Sequence, residues 1–301
     1  MQRLRRKFPN VPARLVVDER RTGLNPKVNN LINMYPYARY DHLIISDSNV
    51  RVAHDYLDRM ISQMQSESVG LVTSMIRGVG TGTIGAALEN IHLNTLVAGS
   101  VATVNRLTNV PITIGKSMLL RRDILEKLGG FDAFKMFLLE DGLLGQAIRD
   151  LGFQLRISIQ PVENVNNSWS LSRFFNRHHR WGMMRRYLNL PNYLTEIFSY
   201  PIALAVLLTL LHPTNLAFAG LLGVTLLKIS LDMMAGYLMD SPIRWHHYLM
   251  VPVKDIALAI LWPIPFVSRT VAWRGNRLRI GRKTRLSPAG ESVPQTDLTT
   301  G

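Results

Sequence analysis

Three places in the sequence bring together residue types that can do chemistry. The first is Asp47, in HLIISDSNVRV (42–52), where an apolar run from Leu43 to Ile45 stops at Ser46 and an acid follows. An acid just past a buried strand sits at the carboxyl edge of a sheet, where α/β proteins bind ligands. Its oxygens suit Mg2+ or Mn2+ held on a diphosphate, whose charge the metal offsets. A turn or helix-capping aspartate is the other reading of the same stretch. The second place is Glu140-Asp141, in LLEDG. One of the two is placed to act as a general base toward a hydroxyl. Both also suit the start of a helix, where an acid is worth roughly a few tenths of a kcal/mol. The third is Arg177-His178-His179-Arg180-Trp181. Two guanidinium groups can fork onto a diphosphate, and an indole can stack on a ring or sit among lipid headgroups. Adjacent histidines point apart on a helix, which argues against a two-histidine metal site. The alternative is a basic amphipathic helix lying on anionic lipid. Ile114-Gly115-Lys116-Ser117 looks like the end of a phosphate-binding loop, but the glycine that pattern needs five residues before Gly115 is Val110.

Two kinds of segment must position these groups. Up to about residue 160, strand and helix patterns alternate. ARLVVD (13–18), HLIISD, VGLVTS and QLRISIQ are short β-like runs. VNNLINMYPYA, DYLDRMISQM and TIGAALENIHLNTLVAGSVATV have helical spacing, with Asp55 as the N-cap of the second. PITIGKSMLLRR reads as strand and turn, and RDILEKLGG as a helix with a glycine stop. This order predicts an α/β sheet with helices on its faces. After Leu171 the style changes. SRFFNRHHRWGMMRRYL is basic and amphipathic, and three apolar segments follow at 198–211, 215–239 and 248–267. The middle one is long enough to cross a bilayer, at about 1.5 Å per residue over roughly 30 Å. The third contains Lys254, Asp255 and three prolines and reads as an interfacial or re-entrant helix.

Composition points to a membrane. The 301 residues hold 35 basic against 21 acidic groups, a formal charge of +14, with clusters at the start, from Arg173 to Arg186 and from Arg269 to Arg285. Such an excess implies an anionic partner. Basic flanks around apolar segments favour lipid over nucleic acid, and no helix-turn-helix, zinc-finger or RNA-binding signature is present. There is no cysteine, so disulfide and thiolate chemistry are excluded, and a reducing compartment suits the chain. The opening residues carry no apolar core of a signal peptide. Arginine on both sides of the apolar region places both flanks in the cytoplasm, which predicts two spans plus a surface helix.

GLNPKVNNL, SDSNVRV, IGKSMLLRRDILEKLGGF, LLEDGLLGQAIRDLGF, RHHRW and SRTVAWRGNRLRIG, in this order, resemble the ceramide glucosyltransferases and their bacterial relatives over roughly residues 11 to 285. The family pattern is three aspartate motifs followed by Q/R-x-x-R-W. Asp47 matches the second aspartate motif, Asp141 the third, and Arg177, Arg180 and Trp181 the last. The resemblance implies a GT-A-type (nucleotide-diphospho-sugar transferase) domain over residues 1–190, N-terminally incomplete. Membrane helices then occupy 191–270, and a basic, then disordered, tail 271–301. It implies a UDP-sugar donor, a ceramide-like lipid acceptor, and a site facing the cytosol at the cytoplasmic membrane. Asp47 is then the ligand of Mg2+ or Mn2+ on the diphosphate. Asp141, beside Glu140, is the base. Arg177, Arg180 and Trp181 bind donor phosphates, and Asn25, Lys27 and Asn30 lie near the nucleotide.

Two departures from the family pattern stand out. The family's membrane anchor, first strand and helix and first aspartate motif have no counterpart, so the chain is expected to start partway into the domain. Asp18 does not fill that role. Asn49 stands where many relatives carry an acid, so metal affinity is expected to be lower. The competing readings are a non-catalytic, degenerate glycosyltransferase acting as a membrane scaffold, and a transferase for hopanoid or diacylglycerol acceptors.

Overall fold

A computed structural model of the chain describes residues 2–108 and 112–290. The apolar runs become β1 His42–Ser46, β2 Val50–Arg51, β3 Val69–Val79, β4 Ser117–Arg121 and β5 Gln154–Val165, in the order β1-β4-β3-β5-β2. β3 runs parallel to β5, and the other pairs are antiparallel. Ten of the eleven residues of β3 are buried, the signature of a strand covered on both faces. Leu71, Met118 and Leu120 point into the larger core, against Val28 of α2 (Pro26–Met34), Ile124 and Leu125 of α6 (Arg122–Lys127), and Leu144 and Ile148 of α7 (Glu140–Asp150). Val69, Val72 and Leu119 pack on the opposite face against Met60 and Met64, on and just after α3 (Tyr56–Gln63).

A long helical stretch follows β3. It consists of α4 (Ile84–His92), one wide π turn over Leu93–Val97, and α5 (Ala98–Thr108). The close approach of α4 to β3 requires Gly78, because a Cβ there would meet the Cα of Asn90 at 2.9 Å. Asn94, in the π turn, accepts from Gly78 N at 2.6 Å and donates to Gly78 O at 2.9 Å and Ser241 Oγ at 2.7 Å. One side chain thus ties the sheet to the membrane-side helices.

Three expectations change. ARLVVD is irregular and follows only the short helix α1 (Gln2–Lys7); Val17 is 83% exposed, and alternation without a partner strand does not make a strand. Asp55 stands at the N-cap of α3 as expected, but its side chain makes no capping bond and pairs instead with Arg59 one turn on. The stretch 271–290, part of what was expected as a basic, then disordered, tail, forms a second sheet: β6 Thr270–Trp273, β7 Asn276–Ile280 and β8 Leu286–Pro288. Arg274 and Gly275 have φ of 45° and 80° and form a two-residue hairpin turn that suits the strand twist. Val110, Pro111 and the polar residues 291–301 lie outside the described residues.

After α8 (Leu171–Leu188) come α9 (Leu190–Thr195), α10 (Pro201–Leu211), α11 (Asn215–Leu238), α12 (Val251–Leu261) and α13 (Ile264–Val267). Among the described residues, two segments are long and apolar enough to cross a membrane, Asn215–Leu238 and Trp245–Val267; the stretch Leu190–Leu211 is bent by 71°. The third apolar segment, expected as interfacial, therefore has span length, and the first is the broken one. Val271, Leu278, Ile280 and Leu286 of the second sheet pack on Met183 of α8 and on Leu138. The chain thus leaves the α/β body at α8 and returns to it at β6, so any crossings between them are even in number. Leu120 is fully buried at the centre of the larger core. Leu120→Ala should destabilise the body by about 2–5 kcal/mol. A thermal midpoint in detergent equal to the parent's would contradict this packing.

Candidate functional site

The acid turn, the strand-end acid and the NPK segment meet at one end of the sheet. Asn25 caps α2, its Oδ1 accepting from Lys27 N at 2.9 Å and Val28 N at 3.1 Å, with Pro26 in the first turn, where a missing N–H costs nothing. Its Nδ2 donates to Phe137 O at 2.7 Å and Glu140 Oε2 at 3.0 Å. That bond fixes the start of α7 against the start of α2. Lys27 then reaches into the gap. Its Nζ lies 2.9 Å from Glu140 Oε1 and 3.8 Å from Asp47 Oδ1, and donates to Gly115 O at 2.8 Å. Burial works against the Lys27 charge, but Glu140, Asp141 and Asp47 outweigh it and raise its pKa above the ordinary lysine value.

Asp141 accepts from Gly142 N at 2.8 Å through Oδ1 and from Gly115 N at 2.7 Å through Oδ2. Burial, then the Glu140 charge, push its carboxyl up to about 6, although Lys27 and the two backbone amides pull the other way. Gly115 is required here: a Cβ would sit 2.7 Å from Lys27 Nζ and collide with Asp141 Oδ2. Asp47 follows β1, and Lys116 Nζ lies 2.8 Å from its Oδ2. Burial, and more weakly Arg177, lower the Lys116 pKa against the pull of Asp47.

α8 forms a second layer behind this cluster. Arg177 Nη1 pairs with the fully buried Glu89 Oε1 at 2.9 Å, and His178 Nε2 lies 3.0 Å from Glu89 Oε2. Burial alone would raise the Glu89 carboxyl; Arg177 and His178 outweigh it and hold it below the usual range. The Arg177 guanidinium stacks 4.1 Å from the Trp181 ring and 5.0 Å from the Trp169 ring. Trp181 itself packs against the apolar cluster of Ile76, Leu93 and Val162. Arg180 differs: it lies 5.6 Å over Trp273 and has no carboxylate partner among the described residues. Burial, then the Arg177 charge, push its pKa down to about 10.

The structure therefore brings together Asn25, Lys27, Asp47, Glu140 and Asp141. Arg177 and Trp181, expected on donor phosphates, are instead largely occupied by Glu89 and by packing, while Arg180 is left unpaired. Asn30 is exposed on α2 and outside the cluster; its neighbour Asn29 is buried and holds the preceding loop through Thr22 N, Gly23 N and Gly23 O. Asp18 pairs with Arg20 in the irregular segment. Sequence reasoning missed Gly115 and Lys116, although IGKS was noticed, and Glu89, which no motif marked.

The expected metal site does not match the donor set. Asp47 faces two ammonium groups, and no group of three His, Cys, Asp or Glu side chains fit to hold a metal occurs among the described residues.

A family model described as glycosyl transferase family 21 matches residues 1–286. The chain belongs to that family. Ceramide glucosyltransferase 3 of Caenorhabditis elegans is 26% identical to this family 21 chain over 283 residues, 91% of this chain and 61% of the relative. Ceramide glucosyltransferase 1 of the same organism is 25% identical over 321 residues, 96% and 64% of the two chains. Ceramide glucosyltransferase of Komagataella phaffii is 25% identical over 248 residues, 64% and 48%. The chain thus spans less than two thirds of the length of each of these relatives. The family pattern accounts for the mixed sheet with its acids at one end, a GT-A-like arrangement.

Losing one partner of a buried ion pair costs about 3–5 kcal/mol. Glu89→Ala should therefore melt well below the parent and Glu89→Gln in between. Equal thermal midpoints for all three would contradict the role given to Glu89.

Proposed function

We propose that this family 21 chain is a membrane glycosyltransferase that moves a hexose, glucose on the pattern of its relatives' names, from a UDP-sugar to the hydroxyl of a ceramide-like lipid. The observation that carries the reading is Asp141: a buried carboxyl, raised toward neutrality, within one cluster with Lys27 and Asp47 at the sheet end. A general base works best with a pKa near the working pH. Each Asp141 oxygen already accepts one backbone N–H and keeps a lone pair for a hydroxyl.

In this mechanism the acceptor oxygen attacks the anomeric carbon from the face opposite UDP. Its proton passes to Asp141, the anomeric C–O bond breaks, and the electron pair leaves with the diphosphate. Inversion follows, with no covalent intermediate. Lys27 and the unpaired Arg180 supply positive charge toward the leaving diphosphate. Glu140 and Asn25 hold Lys27 in place. No step is routed through a divalent metal, because the residues at Asp47 do not form a cage for one.

The membrane enters through the apolar helices. Leu216, Tyr237 and Leu210 are 83%, 82% and 75% exposed, a surface that suits acyl chains. Basic residues flank both ends of the apolar region, so both flanks, and with them the catalytic body, face the cytosol. The acceptor's tails then stay in lipid while its headgroup meets the donor.

Mass spectrometry of lipids from membranes carrying the chain, offered several UDP-sugars, should find a new glycolipid. None with any donor would favour the scaffold reading. Asp141→Asn should lower turnover about 10²–10⁴-fold. The folded carboxyl takes up a proton that the unfolded one, near 3.8, does not, so its charge costs stability increasingly as pH rises from 3.8 to about 6. The asparagine removes that cost but leaves one of the Gly115 and Gly142 amides without its acceptor, so the two effects oppose each other and its thermal midpoint at pH 7 should stay near the parent's. Turnover of the parent should drop as pH falls through about 6, with a slope of one proton; a flat profile there would reject Asp141 as the base.

A further inference from the structure

The register of one strand pair puts a lysine at the mouth of the Asp47-Ser48-Asn49 turn. Ser46 pairs with Ser117 at the last rung of β1 and β4. The next residues outward, Asp47 and Lys116, therefore face each other, and Asp47 N donates to Lys116 O at 3.2 Å. This placement is a property of the backbone. The turn closes by Val50 N donating to Asp47 O at 3.2 Å.

Lys116 Nζ then contacts both side chains of the turn. It lies 2.8 Å from Asp47 Oδ2 and 2.8 Å from Asn49 Oδ1. The Asn49 amide is oriented for this. Its Nδ2 donates to Asn164 Oδ1 at 2.8 Å, which turns Oδ1 toward the ammonium; the flipped amide would set N–H groups against N–H groups. Asn49 O accepts from Val165 N at 2.8 Å, so β5 holds the turn as well.

Charge explains the asparagine. Two carboxylates balance a divalent cation. One carboxylate and one neutral amide balance the single ammonium of Lys116, since the more distant Lys27 is held chiefly by Glu140. An ammonium has three donors, and Asp47 and Asn49 take two of them. The third is left for a phosphate oxygen.

We propose that Lys116, clamped by Asp47 and Asn49, is the cation this site presents to a nucleoside diphosphate, so that donor binding needs no divalent metal. The proposal rests on the UDP-sugar reading given above.

The test is calorimetric titration of UDP into the full chain in detergent micelles, in EDTA and again with Mg2+ or Mn2+. UDP should bind in EDTA, with an affinity the metals leave nearly unchanged. Lys116→Ala should weaken binding in EDTA about tenfold or more, the size of one charge-assisted hydrogen bond. The double variant Lys116→Ala with Asn49→Asp restores an acidic pair without the lysine. It should recover UDP binding only when Mn2+ is present, a gain that also shows it is folded. Parent binding that EDTA abolishes, or Lys116→Ala binding unchanged in EDTA, overturns the lysine assignment and leaves the glycosyltransferase reading standing. No UDP binding by the parent in either buffer overturns both.

Discussion

Lys27 brings a full positive charge into a gap among three carboxylates, and the positions of four elements follow from keeping that charge satisfied. Its ammonium is held by Glu140 and Gly115 O and lies 3.8 Å from Asp47. Glu140 begins α7, Gly115 precedes β4, Asp47 follows β1, and Lys27 itself is on α2. A buried charge without partners costs several kcal/mol, so these elements are stable together and not one by one. Asn25 makes the linkage rigid, since one side chain both caps α2 and binds the carboxylate that opens α7. Among the described residues the same pairing leaves Asp141 as the acid with no salt-bridge partner of its own, which is why burial and its neighbour dominate its proton affinity.

The second sheet serves the same end from outside. Leu286 N donates to Met136 O at 2.7 Å and Leu138 N to Thr284 O at 3.0 Å, so the chain beyond the membrane helices grips the loop that leads into α7. Leu139 N also reaches Thr284 Oγ1 at 3.2 Å. Trp273, on the same sheet, supplies the ring under Arg180. The part of the chain that follows the membrane region is therefore a piece of the site's support. This is a physical reason for both flanks of the apolar helices to share one side of a bilayer.

Local pattern carried the strands that have partners. HLIISD and VGLVTS alternate or run apolar and find neighbours; ARLVVD has the same look and finds none, and pairing is a property of the whole chain. The acids at 47, 140 and 141 were visible as types, but what makes them a site, a lysine shared by Asp47 and Glu140 and the asparagine that fixes Glu140, depends on contacts across 88 and 115 residues of sequence. Glu89 was invisible because it sits in an apolar helix with no motif around it. Its importance appears only when α8 is laid against α4. The same contact turned RHHRW from a lipid-facing basic helix into an interior one: Phe174, Arg177, His178 and Met183 are buried, and only part of its charge is left to bind a ligand.

The basic helix is where membrane and chemistry join. Phe174 packs with Leu88 of α4, Tyr200 and Leu258 of α12, in one apolar cluster that runs from the catalytic body into the membrane helices. On the next turn Arg177 pairs with Glu89, and one turn further Arg180 lies free beside Trp273. Residues 174, 177 and 180–181 thus pass from lipid-side packing to a buried ion pair to an unpaired cation along about two turns, or roughly 10 Å of helix. On the proposed reading, the acceptor headgroup and the donor diphosphate would both be positioned against this helix. The Glu89 clamp locks the register of this helix, so on the proposed reading one element would set the spacing between the two substrates.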